Sequence, residues 1–146
     1  MSQQQKYKVY IAVYKGEPVD FQKYRHTGLW FVPEESGSTL FCHVTGSTGD
    51  FTFESRTNYN PTSSETLAKT IEVGATQQKL TAAALLGEMQ ACPVRNDDME
   101  FNCHGWVEAA LKRLSLAGYL TNEEYENGFD KMMDATLEAE QDQYAF

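Results

Sequence analysis

The side chains able to act as nucleophile, base or metal ligand are few: three cysteines, Cys42, Cys92 and Cys103, and three histidines, His26, His43 and His104. Cys103 stands out by position. It follows Asn102, a favoured N-cap residue, and so falls in the first turn of a predicted helix. There the unsatisfied backbone N–H groups and the positive end of the helix dipole stabilise a thiolate. The same amides are suited to hold an oxyanion. A plainer reading makes Cys103 the first residue of an apolar stripe, since residues 103, 107, 110 and 114 share one helical face and free cysteine is commonly buried. His26, in Tyr24-Arg-His-Thr-Gly-Leu-Trp30, opens a predicted strand with the parity of Gly28 and Trp30. It can take the proton of a thiol lying across the sheet surface, or it is a hydrogen-bonded histidine at a strand end. His43, in Phe41-Cys-His-Val-Thr-Gly46, lies on the next strand, where a second polar group orients the first imidazole. Whether the two share a face depends on register, because a one-residue slip reverses every side chain; Thr45 is the substitute. Cys42-His43 and Cys103-His104 with His26 suggest zinc. Adjacent strand residues point to opposite faces, however, and no paired ligand spacing is present, so no metal site is expected. His104 reads as a solvent or rim residue, and Cys92, beside Pro93, as structural.

These residues need elements to position them. Tyr7 to Lys15 is β-branched and aromatic on both parities, as in a strand covered on both faces. Arg25 to Val32 and Thr39 to Thr45 read as an antiparallel hairpin joined by the turn-forming residues 33–38. Phe51 to Ser55 and Leu67 to Val73 add a fourth and fifth strand, with a polar loop from Thr57 to Glu65 between them. After Gly74 the apolar period becomes helical. Helices are expected from about Thr76 to Ala91, from Cys103 to Ala117 with Gly118 as its stop, and from the capping-box pair Thr121 and Glu124 toward Glu140. Strands first and helices second predict an α+β fold, an antiparallel sheet of about five strands packed by helices from the second half.

With 146 residues, 41% of them hydrophobic and 23% charged, the chain has the balance of a single domain, residues 1–146. Lys and Arg number 12 against 21 Asp and Glu, a net charge of −9, which opposes binding to phosphate backbones and anionic lipid. Neither nucleic acid nor membrane is an expected partner. The cysteines cannot all pair, the opening residues lack an apolar signal core, and no apolar run approaches a bilayer span. A cytoplasmic setting is expected; the oligomeric state is not written in the sequence.

The strand motif His26-Thr27-Gly28 and the helix start Asn102-Cys103-His104-Gly105-Trp106 together resemble the permuted papain-like proteins. That group includes the PPPDE peptidases and the lecithin:retinol acyltransferase-like enzymes, relatives of the NlpC-type peptidases. In them histidine precedes cysteine in the chain and the thiol still starts a helix packed on an antiparallel sheet. More closely, His-Val-Thr-Gly at 43–46, the Cys-x-x-Trp helix and a following Ala-Gly resemble a set of small, mostly uncharacterised fungal proteins. The resemblance spans residues 24–120. It implies Cys103 as nucleophile and His26 as base, with His43 at the third, orienting position by its place on the next strand; it does not imply ubiquitin-like or peptidoglycan substrates.

The residues and the resemblance lead to a cysteine-dependent hydrolase or acyl transferase acting on an amide, ester or thioester of a small-molecule or peptide-like substrate, with no cofactor. Trp30, Asn102, Trp106 and Thr45 are the expected substrate contacts. Two rivals use the same cleft without a nucleophile: a noncatalytic papain-like domain that binds a small molecule or protein, and a small cyclase of secondary metabolism. Aromatic residues near the hairpin, Tyr24, Trp30, Phe31, Phe41, Phe51 and Phe53, are available to line an apolar pocket.

Overall fold

The computed structural model describes residues 3–16, 20 and 25–139. Tyr24 and the expected end of the last helix near Glu140 lie outside the described residues. Five strands, β1 (Tyr7–Tyr14), β2 (His26–Pro33), β3 (Leu40–Thr45), β4 (Thr52–Thr57) and β5 (Leu67–Ala75), form one antiparallel sheet in the order β4-β3-β2-β1-β5. Among the described residues three α-helices follow, α1 (Ala82–Gln90), α2 (Cys103–Leu116) and α3 (Asn122–Leu137), so the α+β layout is that of the molecule. No helix among the described residues is long and apolar enough to cross a membrane.

The core follows from two periodicities. On β1 the period-2 set Val9, Ile11 and Val13 points to one face, and Leu29, Phe31, Cys42 and Val44 join it there, all without solvent exposure. On α2 the set Trp106, Val107, Ala110, Leu111 and Leu114 recurs every three to four residues and covers that face, with Met132 and Ala135 of α3 beside it. Each such aliphatic side chain contributes about 1.5–3 kcal/mol on burial. The other face carries none of α1 to α3. It is partly covered by a second cluster in which Ala12, Tyr14 and Phe41 pack with Trp30, Tyr59 and Leu67. That cluster is why β1 is apolar on both parities.

One expected helix boundary moves. Residues from Thr76 to Leu80 are not helical, because tertiary partners take their backbone: Tyr7 N donates to Thr76 Oγ1 at 3.0 Å, and Leu80 exchanges both backbone hydrogen bonds with Gln5. Helix α1 starts only where the Thr81 side chain accepts from Ala84 N at 3.0 Å. The capping box before α3 forms as expected, with the Thr121 hydroxyl accepting from Glu124 N and the Glu124 carboxylate accepting from Thr121 N.

The hairpin register decides the histidine question. Leu29 pairs with Cys42, which sets Gly28 opposite His43 and His26 opposite Thr45, all on the face away from the helices. His26 and His43 are thus diagonal neighbours on one face. Gly28 is what lets them meet: a Cβ there would lie 2.5 Å from the Phe41 ring and 3.1 Å from His43 Cβ.

Candidate active site

Helix α2 presents its thiol at the end of the sheet. Asn102 Oδ1 accepts from Gly105 N at 3.0 Å, and Asn102 O accepts from Trp106 N at 3.1 Å. The Cys103 and His104 N–H groups keep no partner among the described residues. The thiol is half-buried and touches the Arg25 carbonyl, with Sγ to O at 3.8 Å. His104 Nε2 donates to the same carbonyl at 2.8 Å. Arg25 is fixed in turn. Its guanidinium is buried, forks onto both oxygens of Asp20 at 2.9 and 2.8 Å, and donates to the Ala135 carbonyl of α3 at 2.7 Å. The Arg25 fork and the Gly16 amide hold the Asp20 carboxyl down to about 2.

Two imidazoles serve this thiol: His104 from the same turn of α2, and His26, the first residue of β2, which lines one cleft with Cys103. Burial works to raise the Cys103 thiol, but hydrogen bonds from His104 and His26 outweigh it and bring the group down from its ordinary value to about 5. The other cysteines go the opposite way, pushed up by burial to about 12 at Cys42 and about 11 at Cys92.

Behind His26 the chain of contacts continues. His26 Nε2 lies 2.6 Å from His43 Nδ1, and His43 Nε2 lies 3.0 Å from Glu54 Oε1 on β4, directly across the ladder. Arg56 Nε donates to the same Glu54 oxygen at 2.7 Å. Bonds to His43 and Arg56 keep Glu54 below its ordinary range, so it is ionised and can only accept. His43 must therefore carry its proton on Nε2. Burial lowers the His43 pKa despite Glu54, which leaves the ring neutral with a bare Nδ1 that accepts from His26 Nε2–H. The remaining nitrogen of a neutral His26, Nδ1, is then the one free to take a thiol proton. Glu54 thereby sets the tautomers of two imidazoles in series.

A cleft of about 640 Å³ opens beside the thiol, lined by Cys103, His26, Thr45, Asn102, the turn Gly46–Thr48 and Phe51 and Phe101. Of the expected substrate contacts, Thr45 and Asn102 line it. Trp30 and Trp106 do not. Trp30 shares the parity of His26 but sits four residues along the strand, about 13 Å at the usual rise, where it packs on Tyr10 with ring centroids 5.3 Å apart. Trp106 has no solvent exposure and packs on Phe53, because it belongs to the sheet-facing stripe of α2. Among the aromatic candidates Phe31 is core and Phe51 alone lines the thiol cleft. Among the described residues no three His, Cys, Asp or Glu side chains gather as a metal site requires.

A family model described as a family of unknown function, DUF6540, matches residues 9–121. The chain belongs to DUF6540. No curated protein and no solved structure matches it. The matched span of this DUF6540 chain holds every residue of the site, from His26 through Glu54 to His104. Sequence reasoning missed three of its parts. Glu54 looks like any carboxylate on a short polar strand, and only its place opposite His43 betrays it. His104, expected at the rim, is half-buried against the thiol because the Arg25 carbonyl anchors its ring. Arg25 itself carried a signal, as an arginine directly before a strand histidine, but its carbonyl does the work rather than its charge.

Proposed function

We propose that this DUF6540 chain is a cysteine-dependent hydrolase or acyl transferase acting on an amide, ester or thioester of a small-molecule or peptide-like compound. One observation carries the reading: a helix-start thiol held near pKa 5 by two imidazoles, one of which is backed by a second imidazole and a carboxylate. The Cys103 thiolate adds to the substrate carbonyl carbon. Charge gathers on the carbonyl oxygen, where the free Cys103 and His104 N–H groups meet it. The leaving group departs with the proton His26 took from the thiol, and the acyl group remains on sulfur. Water or an acceptor then gives its proton to His26, attacks the thioester and frees the thiol. His104, tied to the Arg25 carbonyl, is the second imidazole that holds the thiolate. Thr45 and Asn102 contact the substrate. The order of His26, His43 and a helix-start Cys103 on an antiparallel sheet supports a place beside the permuted papain-like hydrolases.

The test is direct acylation. The protein is incubated with a panel of simple acyl thioesters and peptides from it are weighed by mass spectrometry. An acyl mass on Cys103 is expected, absent in Cys103→Ser and slowed in His26→Ala, with melting temperatures within a few degrees of the wild type. In turnover of the same thioesters, followed as released thiol, the double variant should be hardly slower than Cys103→Ser alone, because residues that act as a unit are non-additive. Acylation that persists in Cys103→Ser, or that spreads equally to other side chains, would remove the nucleophile assignment and leave the cleft to noncovalent binding.

A further inference from the structure

His26 has a second side. On the face of the sheet away from α1 to α3 a pocket of about 330 Å³ is lined by His26 and His43 but not by Cys103, so the relay separates it from the thiol cleft. Its chemistry differs from that of the chain as a whole. The protein carries an excess of acidic groups, yet this pocket is lined by Lys15 and Arg56 and, among the described residues, by no carboxylate. The Arg56 guanidinium spends its Nε on Glu54 and lies over the Tyr59 ring, 5.5 Å from its centre. Its two terminal amino groups have no partner among the described residues, and 55% of the side chain is exposed. That leaves the planar end, the part that matches a carboxylate or phosphate, pointing to solvent at the pocket. Hydroxyls complete the polar wall. Tyr14 and Tyr59 pair at 2.8 Å, as do Ser64 and Thr66 at 3.0 Å, and each pair keeps one hydrogen to donate. Behind them the Phe41 ring, almost fully buried, packs tilted against Tyr59 and His43 with centroids 5.0 and 4.7 Å away and backs the pocket wall.

We propose that this outer pocket binds a small organic anion, a phosphate or carboxylate carried on an aromatic ring, with the anion on Arg56 and Lys15 and the ring beside the half-buried Tyr59. The size suits one ring with its substituent, at the lower end of small-molecule sites. Occupancy places the ligand against the imidazole pair, and this inference stands whether or not Cys103 is a nucleophile.

The probes are phenyl phosphate and benzoate, with benzyl alcohol as the neutral control, titrated while the ring resonances of His26 and His43 are followed by NMR. Saturable shifts of both rings are expected with at least one anion and not with the alcohol. Arg56→Gln should weaken that binding about tenfold or more, since it removes a charge-assisted contact. Arg56 is on an exposed strand, so the variant should fold. Arg95→Gln, which alters an exposed arginine beside Asp97, should leave affinity unchanged. Cys103→Ser should also bind like the wild type, which keeps a failure of the acyl-transfer reading separate from a failure here. No saturable shift from either anion, equal binding of the alcohol, or Arg56→Gln binding within twofold of wild type would overturn the proposal.

Discussion

Alkylation of the three cysteines as a function of pH puts the site's electrostatics to a quantitative test. With its thiol near 5, Cys103 is about 99% thiolate at pH 7, whereas a thiol near 12, as at Cys42, is ionised to about one part in 10⁵. Intrinsic nucleophilicity falls with pKa at a Brønsted slope of about 0.4–0.5, which returns about three of those five powers of ten. Cys103 should therefore react with iodoacetamide about a hundredfold faster than Cys42 at pH 7, before burial slows Cys42 further. Its rate should fall only below pH 5, as protons return to the thiolate. Each imidazole contributes a hydrogen bond to a charged group, about 1.5–3 kcal/mol, and 1.36 kcal/mol is one pKa unit. His26→Ala and His104→Ala should each move the midpoint upward by about one to two pH units. The assay is peptide-resolved labelling by mass spectrometry from pH 4 to 9, with the folded state checked by circular dichroism at each point. A wild-type midpoint at or above the ordinary cysteine value of about 8.5 would refute the electrostatic argument. So would a midpoint that neither histidine variant moves.

Further outcomes follow from single contacts. Glu54→Leu removes the acceptor that sets the His43 tautomer, so ¹⁵N spectra should show His43 protonated on a mixture of nitrogens and acylation about tenfold slower or more, whereas Glu54→Gln, which still offers a carbonyl oxygen, should keep most of both. Gly28→Ala drives a methyl into the Phe41 ring and should cost about 1–3 kcal/mol of stability in denaturant melts, with a displaced His43 resonance. Thr121→Ala removes one half of the capping box before α3 and should cost about 1 kcal/mol by the same measurement, without moving the Cys103 alkylation midpoint.

The sequence makes some of this legible and hides the rest for physical reasons. The β-branched run at Tyr7–Tyr14 and the Asn102 and Thr121 caps are local signals; the caps are honoured by hydrogen bonds within a turn, the run by pairing with β2 and β5. Thr76 to Leu80 has helical composition, but Tyr7 and Gln5, some seventy residues earlier, claim its polar groups, and no local pattern reports that. His26 and Cys103 are recognisable by type and place. The His26–His43 contact is not, because it rests on the β2–β3 register, and neither is Glu54, which adds another register on top. Trp30 and Trp106 mislead in a consistent way. Aromatic character does not reveal whether a ring faces a cleft or a core, and in both cases neighbouring rings claim it.

Glu54 lies on β4, which pairs with β3 on one side and, among the described residues, has no strand on the other. Edge strands open to solvent at a lower free energy than the strands inside a sheet, so amide exchange is fastest there and the excursion needs no global unfolding. Each opening of β4 takes the carboxylate from His43, and the proton positions it dictates are released until the strand closes. The proposed nucleophile rests on the well-packed α2, while the carboxylate that fixes the tautomer of its proposed base rests on an edge of the sheet. For the proposed relay, then, the closing equilibrium of these six residues limits the working fraction, and activity should fall on warming before the core melts.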